Sequence, residues 1–454
     1  MKKFWIVLLA MAFVAGFAMS ASAQTSVKFS GSYYVIGSYV DNPTNAKDIA
    51  SGQLNAVALY NQRLRIQTEF KVAEGLLLVT RFDALEKDWG DQRWRGESPL
   101  AGRVETASRP AAAPLGINLQ ESLEFERAYV DFTTKIGRFM VGYQEFIAFG
   151  TIFMNSHATR PGIKYLVPVG PLTVIAAMEK GNERSVVSGV SDADQDIYDL
   201  GAVYKFGAGD AGVMLQFLND RTKRVLAGAA AGTTKLYAIN PYVKAKFGPA
   251  YVEAEGIYAT GKLFEADTPG VKGVDLTAMG LYLHGKADFG QAYVGGIFAW
   301  ASGDDIATTD KREGTMARLM TLGQAWDPCL LLFNDGNNRA NTARTAAVIP
   351  FTPYDAFFDN AWLYQIYGGF KPTKDLDIMA SLTYVVADQN VVTGQISKDI
   401  GTEFDITAKY KIFNNLEYMI GAGYLFVGDY WKGASKNAQI DNNYLLIHKL
   451  TLSF

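Results

Sequence analysis

Five arginines recur early in the chain, each in a run where polar and apolar residues alternate: Arg63, Arg65, Arg81, Arg127 and Arg138. A second group, Glu403, Asp405, Lys409 and Lys411, alternates in the same way near the far end. Side chains two apart on a strand share a face, so each group makes a charged stripe backed by an apolar one. Such stripes steer ions and small charged solutes. Hydrolytic chemistry would need a serine beside a histidine, but His448 and Ser453 are an odd number of positions apart and take opposite faces of one strand. His157, His284 and His448 are scattered without metal-ligand spacing. Cys329 is alone, so no intrachain disulfide forms, and no Cys-x-x-Cys-His attaches a haem. These residues point to no enzyme activity, no metal and no cofactor.

The elements that carry the charges read as strands. In one run Leu64, Ile66, Phe70 and Val72 oppose Arg63, Arg65, Gln67, Glu69 and Lys71. In another, Ile400, Phe404, Ile406, Ala408, Tyr410 and Ile412 oppose Glu403, Asp405, Thr407, Lys409 and Lys411. Very short connections punctuate the chain at Ala73-Glu74-Gly75, Lys135-Ile136-Gly137, Val169-Gly170-Pro171, Gly207-Ala208-Gly209, Gly248-Pro249, Asp288-Phe289-Gly290, Thr373-Lys374-Asp375 and Asn414-Asn415. Gly, Asn and Asp supply the positive φ that hairpin turns require. Longer polar loops fall near residues 42–53, 89–121, 150–158, 182–195, 222–234, 263–273, 304–360, 389–398 and 431–440. Eight short turns and nine loops join eighteen strands; sixteen is the alternative count.

The ends and the composition set the compartment. Lys2 and Lys3, an apolar run from Phe4 to Met19 and the small residues Ala21-Ser22-Ala23 form a secretory leader over residues 1–23. Its removal takes the formal net charge from −3 to −5, a mild value that argues against a nucleic-acid partner. Beyond the leader no stretch approaches the roughly 18 apolar residues a spanning helix needs. An exported chain with 24 Tyr and 27 Phe but no spanning helix fits a β-barrel, which exposes alternate residues to lipid and carries aromatic girdles. The last residues agree: Tyr444, Leu446, Leu450, Leu452 and Phe454 share one face against Lys449, Thr451 and Ser453.

Four segments carry a family resemblance. Phe125-Glu126-Arg127-Ala128-Tyr129-Val130-Asp131-Phe132, with Ile136-Gly137-Arg138-Phe139-Met140-Val141-Gly142 after it, resembles a strand pair of the porins, and Gly162 to Pro168 resembles their next strand. Gly401 to Thr407 and Gly421 to Tyr430 are similar to the end of the alginate-export family, which implies an eighteen-stranded monomeric barrel. The overall organisation also resembles porin-like channels of metal-reducing bacteria, and the terminal aromatic resembles the assembly signal of outer-membrane proteins.

The reading is an all-β chain: a transmembrane antiparallel β-barrel over residues 24–454, in the cell outer membrane, with a long extracellular loop at 304–360. That loop carries Lys311, Arg312, Arg318, Arg339 and Arg344 with apolar patches at Leu330–Phe333 and Val348–Phe351, and it either folds inward to narrow the pore or serves as an external lid or subunit contact. Charges facing lipid at mid-membrane cost about 2–4 kcal/mol for Arg or Lys, so the polar faces turn inward and the lumen is expected to be wet, a channel or a plugged channel rather than a packed apolar core. Arg63, Arg65, Arg81, Arg127, Arg138, Lys409 and Lys411 are expected to line the pore with Glu69, Asp83, Glu253, Glu255, Glu403 and Asp405. Arg65, Arg81 and Arg127 at one height would form a basic wall; the other reading pairs each arginine with Glu69, Asp83, Glu126 or Asp131. The function expected is passive or weakly selective diffusion of small hydrophilic solutes or ions. The alternatives are a channel specific for an anionic solute or polysaccharide, and a sheath around a multihaem cytochrome partner. Outer-membrane lipid is the constant partner, and both a monomer and a homotrimer fit the sequence.

Overall fold

The computed structural model describes residues 26–43, 45, 56–89, 123–146, 148–153, 158–226, 228–314, 326–334 and 358–454. The expected leader and most of the loops at 42–53, 89–121 and 304–360 lie outside these residues, as do His157, Arg318, Arg339, Arg344 and the apolar patch Val348–Phe351.

Alternating sequence becomes strand wherever both backbone edges find a partner. Among the described residues this yields eighteen barrel strands: β1 (Ser26–Asp41), β2 (Ala56–Ala73), β3 (Leu76–Asp88), β4 (Leu123–Thr134), β5 (Gly137–Glu145), β6 (Thr159–Val169), β7 (Leu172–Asn182), β8 (Gln195–Phe206), β9 (Gly209–Asp220), β10 (Gly232–Phe247), β11 (Ala250–Ala266), β12 (Val274–Phe289), β13 (Ala292–Ala301), β14 (Ala361–Phe370), β15 (Leu376–Ala387), β16 (Asp399–Phe413), β17 (Leu416–Val427) and β18 (Asn443–Ser453). Each pairs antiparallel with its neighbours in sequence. The ring closes where β1 meets β18, in register from Ser32 opposite Ser453 to Asp41 opposite Tyr444. Lipid cannot satisfy an open sheet edge, and closure removes it. A two-residue bridge, Lys311–Arg312, lies parallel to the start of β12 outside this ring. The eight expected short turns stand where the sequence puts them, so one end of the barrel carries turns and the other the loops.

Alternation also sorts the faces. Leu200, Leu215, Leu283, Ile366, Leu382 and Ile406 point outward, as the exposed halves of their strands. At the turn end Phe247, Phe289, Phe370, Phe413 and Phe454 form an exposed aromatic girdle. His448 takes the outward register, where its Nε2 lies 3.2 Å from the Tyr60 hydroxyl.

One residue departs from the expected faces. Ile400 belongs to the inward set, fully buried with Leu363, Val385 and Leu425. The pairing of β15 with β16 slips between Val385 and Val386, so that Val385 faces Gly401 and Val386 faces Asp399. Ile400 is the extra residue of this bulge, and Gly401 supplies the φ of 140° that such an irregularity demands.

The outward register carries a direct expectation. Ile406→Arg near the middle of β16 should lower barrel stability by about 2–4 kcal/mol, while Ile406→Ala should cost less. Equilibrium unfolding from lipid vesicles measures both.

Candidate functional site

All thirteen charged residues that the sequence singles out lie on the inward register of their strands, and the interior they share is divided in two. Across β2 to β9 the inner face is charged. Arg65 faces Asp83 across the β2–β3 pair and holds it with two hydrogen bonds, 2.7 Å from Nε and 2.6 Å from an Nη. Arg63 adds longer ion pairs to Asp83 at 3.8 Å and Glu86 at 3.9 Å. Arg138 pairs with Asp131, and Arg127 pairs with Glu145 rather than Glu126. Arg81 makes no ion pair among the described residues; its Nε donates to Gln67 at 3.2 Å, and it stands directly opposite Arg127. Arg65 stands one inward position further along, opposite Asp83 rather than level with Arg81 and Arg127.

Elsewhere neighbouring charges on the inner face alternate in sign. Lys244 faces both Asp210 and Glu253, Lys409 faces Asp377, and Lys411 faces Glu417. Glu69 pairs with Lys28 at 3.6 Å. Glu253 gathers the hydroxyls of Tyr251 at 2.7 Å and Tyr282 at 3.0 Å, and lies 3.0 Å from His284 Nδ1. With that nitrogen protonated, His284 Nε2 accepts from the Tyr367 hydroxyl at 2.7 Å. Tyr34 lies between two cations, with Arg63 at 5.0 Å and Lys449 at 5.1 Å from its ring centre.

Toward the loop end of β1 and β11 to β18 the interior is filled by chain, the plugged form of channel rather than a lumen open throughout. Residues 326–334 of the long loop run inside the barrel and pack Leu330, Leu331, Leu332 and Phe333 against inward residues of β1 and β11 to β18. Burying each such side chain stabilises by about 1.5–3 kcal/mol. A segment without secondary structure brings orphan backbone donors with it. Glu403 satisfies them: its Oε1 accepts from the backbone N–H groups of Leu330 at 3.0 Å and Leu331 at 2.6 Å, and its Oε2 from Leu332 at 2.9 Å. Gln365 donates to the Pro328 carbonyl at 2.6 Å. Glu403 is 0% exposed and Asp405 3%, so neither meets solvent in the lumen. They hold the loop instead of facing solute. Burial, with the charges of Glu403 and Asp405 behind it, pushes the Cys329 thiol well above its ordinary range, leaving it protonated and inert at neutral pH.

A second loop does the same from the opposite wall. Residues 148–153, between β5 and β6, cross inward to β10 and β11. Glu255, 1% exposed, accepts from Thr151 through its backbone N–H at 3.0 Å and its hydroxyl at 2.5 Å. Asn240 braces Glu255 at 3.1 Å, and Lys244 donates to the Gly150 carbonyl at 3.0 Å. The loops meet through rings: Phe153 stacks on Tyr282 at 5.3 Å and meets Trp326 edge-on at 5.7 Å. Sequence reasoning missed Gln365, Phe153 and Trp326. Gln365 carries a signal, as a polar residue on the inward face of an apolar strand; the two rings lie in loops, where no periodicity reports direction.

The clamp is testable. Glu403→Ala removes the carboxylate that accepts from three buried N–H donors, at about 1–3 kcal/mol for each donor left unsatisfied, so residues 326–334 should leave the interior and single-channel conductance should rise. Glu403→Gln keeps a carbonyl oxygen and should fall between that variant and the parent.

The sequence matches the model of the Gram-negative porin family over residues 8–385. No curated protein matches it. Among solved structures, OccK9 (OpdG) of Pseudomonas aeruginosa superposes with a TM-score of 0.52 at 14% identity, over 94% of this chain and 99% of that one. OpdK of the same organism gives 0.49 at 12% identity, over 94% and 99%, and OmpT of Vibrio cholerae in its trimer form gives 0.41 at 10%, over 95% and 99%. The likeness to OccK9 is one of fold. A family match across most of the chain, on a closed barrel of eighteen strands with an outward apolar belt, places it in the outer membrane: the chain belongs to the Gram-negative porin family and is an outer-membrane channel.

Proposed function

We propose that this porin passes small hydrophilic solutes by passive, weakly selective diffusion along a water-filled passage beside the charged wall of β2 to β9. The observation that carries the reading is the pairing of charge across neighbouring strands. Arg65 meets Asp83, Arg138 meets Asp131, Arg127 meets Glu145, and Lys244 meets Asp210 at 3.7 Å. Ion pairs keep a wall hydrated but cancel most of its net field, so a passage lined by them discriminates weakly by charge. The two inward loops supply a size limit rather than a charge filter, because their meeting point is aromatic. In this reading residues 1–23 are removed on export, the loop end of the barrel faces outward and the turn end faces the periplasm. The passage lies within one barrel, so a monomer and a homotrimer would conduct alike.

One feature favours a second reading, a preference for anionic solutes. Arg81 opposes Arg127 and has no carboxylate partner among the described residues. The two readings separate by reversal potential under a salt gradient across a planar bilayer. Weak selectivity gives a stable conductance with a small reversal potential, and Arg81→Glu should move it toward cations. A strongly anion-selective potential would favour the second reading, and negligible conductance would contradict both.

A further inference from the structure

The clamp on the long loop brings together more than hydrogen bonds. Cys329, Glu403 and Asp405 each offer one donor atom, and these atoms lie within 4.8 Å of one another in a closed part of the interior. Their acceptor capacity is unevenly used. Asp405 Oδ2 accepts from Leu330 N–H at 3.3 Å and from the Ser381 hydroxyl at 3.5 Å. Asp405 Oδ1 is buried and receives no hydrogen bond from an N–H or hydroxyl donor, and the Asp405 carboxyl lies within hydrogen-bonding reach of the Glu403 carboxyl. A bare oxygen on a buried carboxylate is costly, and neither Glu403 nor Asp405 makes an ion pair among the described residues.

The facing strand adds a second observation. Gly423 on β17 stands directly opposite Asp405. A Cβ at that position would lie 2.6 Å from Asp405 Oδ1, 3.2 Å from Leu330 Cβ and 3.5 Å from Glu403 Oε1. Glycine therefore keeps side-chain atoms away from the one point that borders the bare oxygen, the clamping carboxylate and the loop together.

We propose that Cys329 Sγ, Asp405 Oδ1 and a Glu403 oxygen bind a divalent transition-metal ion of the zinc type, which fastens the long loop to the barrel wall. A thiolate among the donors favours such ions over magnesium and calcium, which take oxygen sets. Metal–sulfur and metal–oxygen bonds of about 2.3 and 2.0–2.2 Å put two donors of one ion at most about 4.5 Å apart, close to the 4.8 Å within which these donor atoms lie. The double positive charge offsets the buried carboxylates, and binding displaces the thiol proton to solvent, since the thiolate is the ligand. The sequence offered no ligand spacing because one donor comes from a loop and two from β16.

The test uses the full barrel in detergent, stripped with chelator and titrated with Co²⁺ alone. One ion per chain should bind, with a thiolate-to-cobalt charge-transfer band that Zn²⁺ abolishes by competition. Cys329→Ser should lose the band, and Asp405→Asn should weaken binding by at least about tenfold, the loss that even an outer-shell partner produces. No band in the parent, or a band unchanged in both variants, would overturn the proposal; a carboxyl pair that merely shares a proton gives the former. Should the variants fail to form barrels, the parent alone decides. Zn²⁺ but not Mg²⁺ should raise its unfolding temperature, and equal behaviour with the two ions would count against the site.

Discussion

A carboxylate that no water reaches, Glu403, accepts three consecutive backbone N–H groups from Leu330, Leu331 and Leu332, and the interior of this porin is organised around that contact. An irregular segment inside a barrel faces two penalties. Its backbone donors lose water, and the carboxylate that replaces water pays for its own desolvation. Each removes the other's penalty, because charge-assisted hydrogen bonds are roughly twice as strong as neutral ones. The apolar side chains of the same segment then supply the net stabilisation by burial against β1 and β11 to β18. Glu255 on β11 repeats the device for residues 148–153. Two loops of unrelated sequence are thus anchored by one physical arrangement and touch through Phe153 and Trp326.

This arrangement explains why the inward charges divide into two kinds. Glu255, Glu403 and Asp405 are sealed beneath loops and position backbone, whereas Arg63, Arg65, Arg127 and Arg138 hold carboxylate partners on a wall that neither of the two described inward loops packs against, with Arg81 among them. The turn-end residues Lys409 and Lys411 sit on the same strand as Glu403 but beyond the covered stretch, where Asp377 and Glu417 face them. Position along a strand therefore decides role: the loop end of β16 anchors, and the turn end contributes to the charged interior.

Much of the fold was legible because a barrel is written in local signals. Alternation between Arg63 and Val72 fixes which side meets lipid, and turns such as Gly248-Pro249 and Asn414-Asn415 fix where strands reverse. Ile400 was assigned the wrong face because a bulge shifts parity by one, and the only local trace of it is Gly401. Even there the outward residues from Phe404 to Ile412 keep their expected faces. The site was less legible. Alternation placed Glu403 and Asp405 inside, but it carries no information on what covers an inward residue. Their partners at residues 329–332 are about seventy positions away in a loop without periodicity. The apolar run Leu330–Phe333 was visible in the sequence; its destination depended on a buried acceptor that only the closed ring brings within reach.

The central claim is that residues 326–334 occupy the interior of the folded channel, and Cys329 is a native reporter of it, being the single cysteine and 3% exposed. The direct measurement is the rate at which a water-soluble maleimide labels the folded barrel in chelator-containing buffer, compared with the denatured chain. The account predicts that labelling of the folded protein is slower by orders of magnitude and proceeds only after unfolding. Prompt labelling of a barrel that remains folded would contradict it, because the thiol would then be in the aqueous passage or outside the pore.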